Sequence, residues 1–381
     1  MRTPNPTAAA VTAAIAGAAT VAATVAAGRI ASDAALKAPP GRPLPTEPSL
    51  TVHATEPGRV TLTRALASRR PGVYGLSGDG SHAVVGRVVS AGEQSADTVV
   101  RHLERVTHGT LDPGDKVWLT PGLHIGDPGS ALGLDHADVD VPGELGALPA
   151  WFVPAARDTW VITVHGLGGT REHPMNVMEF LHRRQFPVLD LAYRGDLGAP
   201  RPPDGLSHLG ETEWRDLDAA IRYAVRYGAE RVVLHGWSTG ATMALRAAER
   251  SALRDRISGL VLDSPVLDWE TTLRALATAR RTPGVLLPLA VRAAQGRTGL
   301  VQGSGDGRAV DADADRLTVP VLLVHGPGDT VAPWGPSQCL ARRRPDLVTL
   351  HTVDDAPHGA MWNADPAAYE EALRRFLTPL M

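Results

Sequence analysis

From about residue 136 the chain alternates short apolar runs with longer segments in which apolar residues recur every three to four positions. The runs 160–164, 188–192, 232–235, 260–262, 319–324 and 348–353 read as strands. The intervening segments near 172–185 and 212–227, the stretch after Ser238, and 366–377 read as amphipathic helices. Asp138–Val141 and Leu148–Val153 read as a hairpin at the start of this region. Continuous apolar strands separated by one-faced helices predict an α/β fold: a mostly parallel central sheet with helices on both faces. In such a sheet a ligand sits at the carboxyl ends of the strands.

Upstream the pattern is different. Residues 49–135 form a β-rich module, with strand candidates at Val60–Leu62, Gly72–Leu76, Ala83–Val89 and Lys116–Leu119 between glycine, proline and aspartate turns. Gly78-Asp79-Gly80-Ser81-His82-Ala83 matches a loose dinucleotide pattern, but a strand follows it instead of a helix, so the match is rejected. Residues 38–48 form a proline-rich linker, expected to be extended and not to pack. Before it, Ala8–Ala27 is nearly all alanine and has the length of a membrane span, but its hydropathy is poor. With the thin positive end at Arg2, residues 1–48 are expected to comprise an export signal or membrane anchor followed by the linker, with a tail of no targeting value as the alternative. Within 136–381, residues 266–318 leave the core. Helical patterns near Trp269–Arg280 and Pro283–Gln295 predict a small cap, whose apolar residues either line an acyl pocket or pack ordinarily on the sheet.

Composition changes this picture little. A net charge of -3 with 21% charged residues, and no basic stripe, gives no reason to expect nucleic acid as a partner. A single cysteine, Cys339, excludes an internal disulfide and a cysteine-built zinc site. Three strands end in the same dipeptide, His165-Gly166, His235-Gly236 and His325-Gly326. With no carboxylate at a ligand spacing, these read as half-buried, hydrogen-bonded strand ends, and no metal is expected. Asp311-Ala312-Asp313-Ala314-Asp315 resembles the start of a calcium loop but lacks its glycine and distal glutamate, and reads as a solvated turn.

The candidate chemistry lies at three strand exits. Gly236-Trp237-Ser238-Thr239-Gly240 sits between a strand and a helix, the setting of a nucleophile elbow. A serine hydroxyl needs a base, and the base needs an acid to hold its tautomer. Both follow in the required order: Asp329 in the loop after 319–324, and His358 in the loop after 348–353. Asp263, also at a strand end, and Asp268 compete for the acid's role. The glycine-rich turn His165–Thr170 would supply one oxyanion donor, the backbone N–H of Leu167, and the elbow another, that of Thr239.

Taken together, the Gly166 loop, GWSTG, HGPGDTVAP and APHG resemble the α/β-hydrolase superfamily over residues 136–381. Leu262-Asp263-Ser264-Pro265 and Ala192-Tyr193-Arg194-Gly195 resemble its bacterial serine-peptidase-like and lysophospholipase-like members. The resemblance implies a cofactor-free serine hydrolase acting on an ester, thioester or amide, with a small-molecule or lipid acyl substrate. Two alternatives stay open: acyl transfer to an alcohol on the same triad, and a binding protein on a hydrolase scaffold. Membrane association through the N-terminus is a further expectation.

Overall fold

A computed structural model describes residues 24–89, 95–298 and 314–381. Six antiparallel strands, β1 (Leu50–Glu56), β2 (Arg59–Thr63), β3 (Tyr74–Gly78), β4 (Ser81–Val88), β5 (Thr98–His108) and β6 (Lys116–Thr120), close into a barrel in the order β1-β2-β5-β4-β3-β6. Alternate residues such as Val52, Val60, Leu62, Leu76, Val85 and Val117 fill its interior, as the two-residue period of a strand requires. The rejected glycine motif is the tight β3–β4 turn, with Gly78 opposite Ser81.

The sequence pattern missed β1 and β5, although β5 is the longest strand of the barrel. Its last residues are exposed, and inside the barrel it carries Arg101 where an apolar residue is expected. The buried guanidinium donates to the carbonyls of Gly86, Ser68, Arg70 and Gly72 at 2.7–3.2 Å and lies over the Tyr74 ring. Four carbonyl acceptors take four of the guanidinium's five N–H donors where no carboxylate does.

The second body is an eight-stranded sheet ordered β14-β13-β12-β11-β9-β10-β8-β7. Here β7 (Ala137–Pro142) and β8 (Ala147–Val153) form the expected hairpin, and β8 also runs antiparallel to β10 (Val188–Leu191). From β10 onward every pairing is parallel, through β9 (Thr159–Val164), β11 (Arg231–Trp237), β12 (Ile257–Asp263), β13 (Val321–His325) and β14 (Val348–Thr352). Two apolar clusters cover its faces. One holds the helices Trp214–Arg226 and Thr239–Arg250, the other Met175–Arg183 and Pro366–Leu377. The α/β reading and the separate β-module therefore hold.

The barrel packs on this body through buried polar contacts. Val73 N–H donates to the Asn363 carbonyl, while the Asn363 amide donates to the carbonyls of Val73 and Pro121 at 2.9 Å. Asn176 adds a donation to Pro121 O at 2.8 Å. Gly72 is required at this seam, because a Cβ there would lie 2.0 Å from Asn363 O.

The proline-rich linker departs from expectation, because it packs. Residues 24–36 form a helix whose Ala35 and Leu36 enter an apolar cluster with Trp269, Leu273 and Leu276. The following segment runs across the carboxyl ends of the strands, with Gly41 N–H donating to Gly168 O at 3.0 Å. Prolines restrict the segment's φ before folding, so ordering it costs less entropy than its lack of secondary structure suggests. The cap helices are Trp269–Ala279 and Leu287–Thr298. Asp311 and Asp313 lie outside the described residues, as does most of the alanine-rich segment. Among the described residues no helix is long and apolar enough to cross a membrane.

Candidate active site

Ser238 follows β11 immediately and precedes the helix Thr239–Arg250. Its φ of 52° and ψ of -116° are strained for a residue with a side chain. Close packing imposes that turn. A Cβ on Gly236 would lie 2.3 Å from Gly240 O, and one on Gly240 would lie 2.3 Å from Val164 O. Both glycines of the elbow are thus needed for approach, and the serine hydroxyl is left at the strand's end.

Three loops bring the polar groups to it. His358 Nε2 lies 2.6 Å from Ser238 Oγ, and its Nδ1 lies 2.7 Å from Asp329 Oδ2. Asp329 is held in turn: its Oδ1 accepts from the N–H groups of Val331 and Ala332 at 2.8 and 2.9 Å, and its Oδ2 lies 3.0 Å from His325 Nε2. Burial alone would raise the Asp329 pKa, but His358 and His325 outweigh it and hold the carboxyl below the usual carboxylate range. Burial pushes His358 down, and the adjacent Asp329 carboxylate more than reverses this, leaving its pKa above the ordinary histidine value.

Asp263 occupies a different position. Its Oδ1 accepts from the Ser264 hydroxyl at 2.8 Å, and burial pushes its pKa up to about 7. Ser264 Oγ then accepts from Gly359 N–H at 3.0 Å, next to His358. Asp268 caps the helix Trp269–Ala279, accepting from Thr271 N–H at 3.0 Å. Among the described residues, Asp329 is the carboxylate hydrogen-bonded to His358.

The glycine turn after β9 lies against the elbow, since a Cβ on Gly166 would sit 2.6 Å from Ser238 Cβ. Leu167 lines the cavity beside Ser238, and Thr239 is the first helical residue, whose N–H has no partner within its own helix. Behind the turn, Tyr193 donates its hydroxyl to Gly166 O at 3.2 Å and stacks on His165. Both His165 nitrogens face acceptors, Gly166 O and the Asp196 carboxylate, each at 2.9 Å, an arrangement that favours the doubly protonated ring. Burial opposes that charge, and Asp196 outweighs it, raising the His165 pKa. His235 instead meets the Tyr369 hydroxyl, and burial lowers its pKa to about 3. The three strand-end histidines are thus hydrogen-bonded as expected, but fully rather than half-buried. Among the described residues no three histidine, cysteine or acidic side chains are grouped to hold a metal ion.

Above Ser238 and His358 lies a cavity of about 370 Å³. Its lining includes the linker residues Pro43, Leu44 and Glu47, Leu119 of the barrel, and His124 and Ile125 in the loop after β6. Among the described residues neither cap helix contributes to it. In the sequence Tyr193 and Ser264 stand out only as parts of family-like segments, His325 only as a strand-end residue, and the linker only as a spacer. None shows a role at the serine, because only the tertiary fold brings them there.

The family described as alpha/beta hydrolase fold matches residues 159–282. Over those residues the chain is similar to the α/β-hydrolase fold. Residues 51–120, which include the barrel strands from Thr51 onward, match a second family described only as a domain of unknown function (DUF8805). The uncharacterized protein YfhR of Escherichia coli (strain K12) is 25% identical over 238 residues, covering 61% of this chain and 75% of that protein. Two structures of the Pyrococcus furiosus esterase Pf2001 share 23% identity with this chain. Their TM-scores are 0.55 and 0.54; the matches cover 68% and 67% of this chain, and 94% and 96% of the esterase. The α/β-hydrolase likeness ends at the fold, since the esterase identity is too low to carry its substrate across.

Proposed function

We propose that this α/β-hydrolase domain is a serine hydrolase that cleaves a carboxylic ester, thioester or amide through an acyl-enzyme. The observation that supports this reading best is the unbroken hydrogen-bonded line from Ser238 through His358 to Asp329, with contacts of 2.6 and 2.7 Å. In this mechanism Ser238 Oγ bonds to the substrate carbonyl carbon while His358 Nε2 takes the hydroxyl proton. Asp329 accepts from His358 Nδ1–H, so the imidazole presents Nε2 to the serine and its cation is stabilised as it forms. The Leu167 and Thr239 N–H groups hold the oxyanion, each worth about 3 kcal/mol in the transition state by precedent. The tetrahedral intermediate collapses with loss of the alcohol, thiol or amine, which takes the proton from His358. Water then adds to the acyl-enzyme, giving its proton to His358, and the acid departs as Ser238 regains it.

The resemblance of the Asp263 and Arg194 segments to serine-peptidase-like and lysophospholipase-like enzymes keeps amide and lipid substrates within the proposal. The esterase Pf2001, with its similar fold, favours esters as the first substrates to try. A fluorophosphonate probe tests the reading directly. Ser238 should be labelled in the folded protein and Ser238→Ala should not be. Failure of the folded wild type to react would sink it, and labelling that survives Ser238→Ala would move the nucleophile elsewhere.

A further inference from the structure

The segment 38–47 acts as a strap, attached to three parts of the molecule. At its start, Ser207 N–H donates to Leu36 O at 3.3 Å, and the Arg280 guanidinium at the end of the first cap helix donates to Lys37 O at 2.5 Å. In its middle, Gly41 N–H holds Gly168 O in the turn beside the nucleophile. At its end, Glu47 pairs with Arg70 of the barrel at 3.1 Å, and both side chains are mostly buried. A chain fixed at these points, with four prolines between residues 38 and 47, is a wall and not a loose tether.

Leu44 lies at the centre of that wall. It packs against the apolar cluster of the cap, yet it also lines the cavity containing Ser238 and His358. A Cβ built on Gly168 would meet Leu44 Cδ2 at 3.5 Å, one residue beyond Leu167. Elsewhere the same cavity is walled by Leu119 of β6 and by Ile125 in the loop after it, beside polar residues such as Glu47, Thr120, His124 and Glu172. The space leading from the serine is therefore bounded in part by aliphatic residues from segments outside the sheet. An aliphatic chain placed there exchanges water for apolar contact along its length.

We propose that Leu44 is a specificity-determining residue: the substrate's acyl chain runs from Ser238 into the seam between strap and barrel, and Leu44 limits the length of unbranched aliphatic chain that fits. This rests on the serine-hydrolase reading above. The substrate class is an ester of an aliphatic acid, with chain preference set by the strap and not by the cap. A larger side chain at position 44 shortens the seam, and a smaller one extends it.

The test is a chain-length profile of kcat/KM on p-nitrophenyl esters from acetate to decanoate, all with one leaving group, in the full-length protein. Leu44→Trp should lower the octanoate-to-butyrate ratio by about tenfold or more, because each excluded methylene carries a several-fold penalty. Leu44→Ala should move the preferred chain to greater length, and it serves alone if the tryptophan variant does not fold. Profiles in both variants within about twofold of wild type would overturn the proposal while leaving the hydrolase reading standing, provided wild type is active and labelled by fluorophosphonate. A folded wild type with neither hydrolysis nor labelling overturns the parent reading, and this one with it.

Discussion

Asp329 and Asp263 show how little residue type says about role. Asp263 ends a strand and Asp329 lies in the loop after one, both are buried, and burial, helped by the Asp329 charge, raises the Asp263 pKa. Their hydrogen-bond partners differ. Asp329 accepts from two backbone N–H groups and faces two histidines, whereas Asp263 faces one hydroxyl and retains a Oδ2 with no partner among the described residues. Asp329→Asn is therefore expected to lower kcat by about 10⁴, and the isosteric Asp263→Asn by far less, in steady-state assays on one ester. A reversed order would make Asp263 the orienting acid. The pH profile follows from His358. The base must be neutral, its pKa is raised, and Asp329 stays ionised, so kcat/KM should fall as pH drops through a single value above 6.5. In Asp329→Asn the raising charge is gone, so the acid limb of the residual activity should shift to lower pH. At this scale the sequence was readable where a motif is local, as in the elbow and the two loops with Asp329 and His358. It named His325 and Ser264 but gave neither a role at the site, because their importance lies in what other loops place beside them.

Among elements, periodicity served the sheet well and the barrel poorly. Strands β9 to β13 are almost wholly buried and stand out as apolar runs. The helix expected at 366–377 is found as Pro366–Leu377, with Asp365 accepting from Ala368 N–H at its start. By contrast β5 combines an exposed charged end with a buried arginine, so alternation fails on both sides. Arg101 holds four carbonyls around the 68–72 turn and on β4, so Arg101→Leu is expected to destabilise the protein by on the order of 3 kcal/mol in urea unfolding. A loss under about 1 kcal/mol would mean those carbonyls find water instead. Asn363→Ala removes two donations across the seam to the barrel and should cost about 1–3 kcal/mol in the same measurement.

At the level of the whole molecule, barrel, strap and α/β body share one interior. Ala360, two residues beyond His358, packs into the barrel's apolar cluster, while Leu36 and Leu44 pack into that of the cap. Calorimetry should accordingly show one cooperative transition; two resolved transitions would mean the barrel melts independently of the site it walls. The sequence pattern distinguished a β-rich region from an α/β one but gave no indication that they join. A proline-rich stretch looks like a spacer whether or not something lies beneath it.

Attachments so far apart in the chain also bear on when the pocket comes into being. The strap is made before every surface it grips, and Arg280 follows Lys37 by 243 residues. Closing so long a loop adds little entropy cost beyond that of a shorter one, but it cannot happen until the partner has been synthesised. Arg70, Gly168 and Ser207 precede Ser238 in the chain, so on the ribosome only the Arg280 attachment must wait until after the elbow has been made. The finished pocket wall exists only once an early segment has docked onto surfaces translated well after it.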